Sequence, residues 1–180
     1  MKRLILALSF LFVLFAGYGC AADRGYFVYS SDQITHSRQA RLVVRLGERL
    51  PIMDLTRRFT GYNVKSTAGE DRSICVIVNG ADGSFSVYYD DTGIVVVAII
   101  SADKTSTDAL GNRVGTPLSQ AVGQSADCDV GMEITCKSSV LYNLLYIVAD
   151  IDGCTLIVTP NVPTQIERCA QINGFMISKQ

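Results

Sequence analysis

The chain has 180 residues, 48% of them apolar, with 16 lysines and arginines against 17 aspartates and glutamates, and its formal charge is −1. A chain of this size and composition is expected to fold as one globular domain, which excludes disorder, a collagen-like repeat and a multi-spanning membrane protein. The balanced charge, without a run of five like charges, also excludes the basic surface that nucleic-acid binding requires.

The first 19 residues have the pattern of a secretory signal peptide. Lys2 and Arg3 form a positive start, an apolar run follows over residues 4–16, and small residues close the segment. The apolar run is shorter than the roughly 20 residues that a membrane span needs. We therefore expect removal of residues 1–19 on export, and the loss of Lys2 and Arg3 changes the formal charge from −1 to −3.

The end of this segment, Gly17-Tyr18-Gly19-Cys20, resembles the bacterial lipobox. The resemblance implies that Cys20 is lipidated and becomes the first residue of a mature lipoprotein, which contacts the membrane only through its N-terminal lipid. The alternative is a soluble periplasmic or secreted protein with conventional cleavage. Residues 20–39 are polar apart from a patch at 26–29, and we interpret them as a tether that leads into or becomes a first strand.

The first half of the domain is predicted to contain a strand at residues 41–46 and a short helix at 51–59. Ile52, Leu55 and Phe59 have helical spacing, Pro51 suits the first turn and Gly61 suits the end. Turns rich in glycine, asparagine and aspartate then separate strand-like runs, which predicts a β-meander. The predicted strands cover residues 62–66, 73–79, 84–89 and 94–102.

The second half repeats this order of elements. A helix start at Gly115-Thr116-Pro117 is followed by a short helix through Val122. Further strands are predicted at 132–137, 140–149, 155–159 and 174–178, with a short helix near 163–170. Residues 40–180 are thus predicted as a single α+β domain, dominated by antiparallel sheet, with short helices packed on one face. The halves 40–102 and 110–180 reflect either an internal duplication or chance recurrence of the helix starts.

Export places the cysteines in an oxidising compartment, where pairing is expected. Four of them allow three pairings, and the local pairs are the natural first choice. Gly131 turns the chain between Cys128 and Cys136, and a strand-like run with a proline turn separates Cys154 from Cys169. We expect each bridge to stabilise the domain by roughly 2–4 kcal/mol.

The sequence lacks the motifs of an enzyme. Cys75 lies in an apolar strand-like run and is expected as a buried thiol, or as the partner of Cys20 if that cysteine carries no lipid. The only imidazole is His36, and no P-loop, dinucleotide fingerprint, GxSxG or HExxH motif is present. Residues 150–153 have part of a calcium-loop pattern but are interpreted as a turn. We expect no catalytic residues, no cofactor and no metal.

Three segments of the chain carry a family resemblance, namely residues 76–80, 93–101 and 111–118. They resemble a family of uncharacterised bacterial outer-membrane lipoproteins under envelope-stress control. The resemblance covers about residues 46–149 and continues through Cys128 and Cys136, where that family carries a cysteine pair. It implies an α+β domain that faces the periplasm, and it brings no established activity.

The leading hypothesis is a non-enzymatic lipoprotein domain that faces the periplasm and binds another protein. An inhibitor or immunity protein against a cell-wall-degrading enzyme fits, because it needs a rigid, disulfide-braced scaffold and no catalytic residues. The alternative is a structural or assembly accessory of the outer membrane envelope. The residues proposed to bind the partner are Tyr88, Tyr89, Asp90, Asp91, Asp129 and Glu133.

Overall fold

The computed structural model describes residues 24–68, 74–130, 133–151 and 169–179. The predicted signal peptide, Cys20, Cys154, the strand at 155–159 and most of the helix at 163–170 lie outside these residues and stay predictions. The described part holds twelve strands, one α-helix and one 3-10 helix. In chain order the elements are β1 (Phe27–Tyr29), β2 (Gln33–His36), β3 (Val43–Arg45), α1 (Ile52–Arg58), β4 (Asn63–Ala68), β5 (Ile74–Gly80), β6 (Gly83–Tyr89), β7 (Val96–Ser101), β8 (Thr107–Asp108), η1 (Leu118–Gln120), β9 (Gln124–Val130), β10 (Ile134–Ser138), β11 (Leu144–Asp150) and β12 (Ala170–Ser178).

Eight strands form one antiparallel sheet in the order β4-β5-β6-β7-β12-β11-β10-β9. The order is symmetric, because each half of the sheet is a four-stranded meander and the two meanders join through their last strands, β7 and β12. A helical turn precedes each meander, α1 before β4 and η1 before β9. Both outer strands carry charged side chains, such as Lys65 and Asp127, which discourage pairing with another chain.

The other four strands form a smaller sheet in the order β3-β2-β1-β8. Strands β1, β2 and β3 are antiparallel neighbours, whereas β8 runs parallel to β1 and pairs Val28 with Thr107. The segment interpreted as a tether therefore supplies β1 and β2. Strand β8 comes from the connection between the two meanders, so the small sheet ties the start of the domain to its middle.

The core lies between the small sheet and one face of the large sheet. The Phe27 ring of β1 packs edge-on against Phe85 of β6, with ring centroids 4.9 Å apart. Tyr29 stacks on Phe175 of β12 at 5.3 Å. Leu55 of α1 is also fully buried in this cluster. Burial of such side chains away from water is the main force that holds the two sheets together.

The predicted α+β class is wrong, because the structure is mostly β, with two sheets and a single α-helix. The helix expected from Pro117 through Val122 is only the three-residue η1, and β9 begins at Gln124. Gly115 and Gly123, both at positive φ, bound the segment. It is too short for helical hydrogen bonds to offset the free-energy cost of helix nucleation. A second sheet covers the face that helices were expected to cover.

A buried carboxylate fixes the connection between the meanders to the large sheet. Asp108 of β8 is buried, and its Oδ1 accepts hydrogen bonds from the backbone amides of Leu110 and Asn112, both at 2.9 Å. Its Oδ2 accepts from Asn112 Nδ2 at 2.7 Å and from the Tyr146 hydroxyl at 2.9 Å. Every donor around this carboxylate is therefore satisfied, as burial of a polar group requires. Burial and the Asp108 charge raise the pKa of Tyr146, which stays a neutral donor.

We expect the replacement Asp108→Ala to lower the free energy of unfolding by about 3 kcal/mol or more, because several buried donors lose their acceptor. Tyr146→Phe removes one donor and should cost about 1–2 kcal/mol. Urea denaturation measures both values. The matched control is Tyr142→Phe, at a side chain that is 72% exposed. Equal stabilities of the Tyr146 and Tyr142 variants would contradict the assigned network.

Candidate functional site

The face of the large sheet that points away from the core presents a row of side chains across seven of its eight strands. Each member is the direct cross-strand partner of the next, and the four large apolar members lie in the middle, interrupted by one serine. We call this surface the open face and include in it the neighbouring row with Cys75 and Tyr88. In order from β4 to β10 the main row is Lys65, Ile77, Ser86, Ile100, Met176, Leu145 and Lys137.

Alternation along the strands separates the open face from the core. In β5, Val76 and Val78 are fully buried in the core, while Ile77 between them is 39% exposed. Ile100, Met176 and other apolar members of the row are partly buried. An apolar centre with charged ends is the usual arrangement of residues in a protein–protein interface.

Tyr88 is the aromatic residue of the open face. It lies directly opposite Cys75 on β5 and opposite Ala98 on β7. Partial burial, then the Cys75 thiol, and then the Glu133 carboxylate raise the pKa of Tyr88. Glu133 immediately precedes β10, and its charge acts on Tyr88, the other predicted partner-binding residue of this surface. Tyrosine combines a large apolar ring with a polar tip, which suits it to a binding surface.

The β9–β10 hairpin forms a charged margin of the open face. Lys137 on β10 pairs with Asp127 on β9 at 2.5 Å, and Asp129 adds a further negative charge. The hydrogen bond and charge of Asp127 raise the pKa of Lys137. These residues line a groove of about 440 Å³ that also includes Leu145 of the main row and Lys179. The groove therefore extends the apolar row into a charged rim.

The predicted disulfide between Cys128 and Cys136 is confirmed. The two cysteines are cross-strand neighbours on β9 and β10, with Cα atoms 4.0 Å apart. Cys169 is also disulfide-bonded, but the predicted bridge to Cys154 involves a residue outside the described part and stays a prediction. Cys75 is a free thiol and is partly exposed, not buried as expected. Disulfides point to an oxidising, exported environment such as the periplasm.

The turn between β6 and β7 uses Asp90 for its own structure. Asp90 Oδ1 accepts hydrogen bonds from the Thr92 hydroxyl and from the backbone amides of Ile94 and Val95. These bonds, with the Val95 amide first, lower the pKa of Asp90. Asp91 is exposed beside it. Both residues are predicted to bind the partner, but the Asp90 carboxylate holds the turn together by hydrogen bonds. Asp91 is exposed to solvent and makes none of these bonds.

Tyr89 and Tyr88 point to opposite faces, as the alternation of a strand requires. Tyr89 is 2% exposed and belongs to the core, so it does not face a partner. Burial, together with the Glu48 charge, raises its pKa to about 12. Asp129 lies exposed on β9, next to the groove.

The single histidine is buried, and one of its two ring nitrogens accepts hydrogen bonds. His36 Nδ1 accepts hydrogen bonds from the backbone amides of Arg38 and Gln39, so the ring proton lies on Nε2. Nε2 faces Asp82 at 3.4 Å, and the Tyr62 hydroxyl donates to the same carboxylate. The ring is buried on the small sheet, far from the open face that carries Cys75. In the described residues, no group of three potential metal ligands occurs, and no helix is long and apolar enough to span a membrane.

Sequence reasoning identified Tyr88 but not the apolar row beside it. Ile77 and Ile100 lie in continuous apolar runs, and the run of Ile77 is typical of a buried strand. A signal was present, since an apolar run in an antiparallel meander supplies apolar residues to both faces. Only one of those two faces packs into the core, so the apolar residues of the other face lie outside it.

We expect the paired replacement of Cys128 and Cys136 by serine to lower the free energy of unfolding by about 2.5 kcal/mol, since the bridge closes a short loop. Urea denaturation measures this difference. The control is Cys75→Ser, which removes a free thiol and should leave the stability nearly unchanged. An equal loss in both variants would show that the bridge does not brace the hairpin.

The lowered pKa of Asp90 predicts a pH-dependent contribution to stability. Its folded pKa lies below the unfolded value of about 3.9, so the contribution is present above that pH and disappears as the pH falls through the folded pKa. Wild type should therefore be more stable than Asp90→Asn near neutral pH, and the difference should vanish in strong acid. Urea denaturation across pH measures it, with Asp91→Asn as the control. A difference that does not change with pH would contradict this role.

Comparison with known proteins relates the chain by fold alone. No family model and no curated protein matches the sequence. The crystal structure of the uncharacterized protein YfeY from Escherichia coli is similar, with a TM-score of 0.55 over 76% of this chain and 93% of that one. The two sequences are 12% identical. The chain thus shares its fold with an uncharacterised bacterial protein. This is consistent with the resemblance to an uncharacterised bacterial envelope lipoprotein family.

Proposed function

We propose that the chain is a non-enzymatic, exported envelope protein that binds another protein through the open face. The observation that carries this proposal is the row of Ile77, Ile100, Met176 and Leu145, interrupted only by Ser86 and held apart from the core by strand alternation. A folded domain rarely keeps such a surface without a partner. The exported environment indicated by the disulfides supports a partner that is itself in the envelope.

The rigidity of the surface supports binding of high affinity. Every strand under the row except the edge strand β4 is hydrogen-bonded on both sides within the large sheet. The Cys128–Cys136 bridge further restrains the hairpin at the charged margin. A surface that is already ordered loses little conformational entropy on binding, so more of the contact energy contributes to affinity.

The chemistry of the described residues favours a binding role over a catalytic one. His36, the only imidazole of the chain, is buried on the small sheet, with Nδ1 hydrogen-bonded to backbone amides and Nε2 3.4 Å from Asp82. Cys75 lies on the opposite side of the large sheet, so these two residues do not form a nucleophile–base pair. We propose the specific form of an inhibitor or immunity protein, in which the apolar row and Tyr88 cover the cleft of a cell-wall-degrading enzyme.

The test is affinity capture from an envelope extract with the full chain and two variants. Ile77→Lys places a charge at the β5 end of the apolar part of the row. Met53→Lys makes the same kind of change at a side chain that is 66% exposed on α1, on the other side of the large sheet. Both variants should keep the unfolding midpoint of wild type.

We expect wild type and Met53→Lys to retain the same envelope protein, and Ile77→Lys to bind it at least tenfold more weakly, because a charge then lies within the apolar interface. The purified partner should degrade peptidoglycan, and wild type should inhibit that degradation at equimolar ratio. Equal retention by both variants would exclude the open face as the binding surface. A partner without hydrolase activity would exclude the inhibitor role and favour an envelope accessory.

A further inference from the structure

A basic cleft lies on the side of the molecule that carries the small sheet, away from the open face. Its cationic side chains come from three separate segments: Arg24 precedes β1, Lys104 follows β7 and Arg113 follows β8. Together they line a cavity of about 310 Å³. The β1–β8 pairing and the Thr107–Arg113 bridge bring these segments together, so the fold itself assembles the cluster.

None of the described residues that line the basic cleft is acidic, and neither the two arginines nor Lys104 takes part in an ion pair there. The nearby Asp103 carboxylate accepts hydrogen bonds from the backbone amides and hydroxyls of Ser84 and Thr105 instead. The net charge of the chain is negative, so its overall composition does not predict a cluster of three cationic side chains. An anion in the cleft would offset their repulsion.

The donor set suits a phosphate group. Guanidinium groups bind phosphate oxygens through paired N–H donors, and the lysine ammonium adds a compact positive charge. Tyr26 lines the same cavity and is 39% exposed, and a tyrosine hydroxyl is a neutral donor. A second cavity of about 440 Å³ shares Lys104 and is lined by Gln171, whose Nε2 donates to the Asp150 carbonyl oxygen, and by Asn173. Amide side chains hydrogen-bond hydroxyl groups, so this second cavity suits a hydroxylated group attached to the phosphate.

The position of the basic cleft points to the source of that phosphate. Arg24 lies four residues after Cys20, the predicted lipid-attachment site. Four residues span at most about 14 Å even when fully extended. An anchor at Cys20 therefore holds the cleft close to the bilayer surface, where lipid phosphates are concentrated and attract basic side chains.

We propose that the basic cleft binds the phosphate of an anionic membrane lipid, with the headgroup hydroxyls in the adjoining cavity. The anchor and the cleft then act together: the lipid at Cys20 holds the chain at the membrane, and the headgroup contact orients the domain. The open face lies on the opposite side of the large sheet from the small sheet, so this orientation directs it away from the bilayer. The proposal is independent of the identity of the partner protein.

The test is titration of the full chain in neutral detergent, followed by NMR of the backbone amides of Gly25, Thr105 and Gly115. The probes are dihexanoyl phosphatidylglycerol, dihexanoyl phosphatidylcholine and inorganic phosphate. The variant combines Lys104→Gln with Arg113→Gln, and the matched control is Lys65→Gln on β4. The unfolding midpoint of each variant confirms that it is folded.

We expect phosphatidylglycerol to shift these amides in wild type and in Lys65→Gln, and to bind the double variant at least tenfold more weakly. Phosphatidylcholine and inorganic phosphate should each bind wild type at least tenfold more weakly than phosphatidylglycerol. Unchanged affinity in the folded double variant, or no binding of phosphatidylglycerol, would overturn the proposal. Inorganic phosphate that binds as tightly as phosphatidylglycerol would overturn the assignment to a lipid.

Discussion

The packing of Phe27 and Tyr29 against Phe85 and Phe175 is the interaction on which the rest of the structure depends. A sheet of eight strands has two faces, and the hydrophobic effect stabilises it only if at least one of them is removed from water. Strand β1 covers one face with two aromatic rings. Because the small sheet and α1 cover that face, the apolar residues of the other face lie outside this core.

The two proposed surfaces follow from this division of the large sheet. The open face lies opposite the core, and its hairpin margin is held by the Cys128–Cys136 bridge. The basic cleft lies on the side of the small sheet, where β8 brings the loop that carries Lys104 next to β1. The buried Asp108 network fixes that same connection to the large sheet. Contact with a membrane at one side therefore leaves the opposite side accessible to a protein.

The sequence predicts local structure well and non-local pairing poorly. The meander β4–β7, α1 and the Cys128–Cys136 bridge depend on neighbouring turns and spacings, and all of them are found in the structure. The parallel β1–β8 pair joins Val28 to Thr107, and no local pattern encodes such a contact. For the candidate site, the alternation of side chains along a strand predicts that one of Tyr88 and Tyr89 faces away from the core. Ile77 lies in a continuous apolar run, and only the structure shows which face of its strand the core covers. The basic cleft is invisible in the sequence because its residues are scattered over about 90 positions.

Modification of the native Cys75 thiol tests the central claim most directly, because this residue lies on the open face beside Tyr88. Mass spectrometry would follow the rate of alkylation of Cys75 in the folded protein, first alone and then saturated with its captured partner. The account predicts steady labelling of the folded protein alone and at least tenfold slower labelling in the complex. Labelling that proceeds at the same rate in the saturated complex would contradict the assignment of the open face as the binding surface.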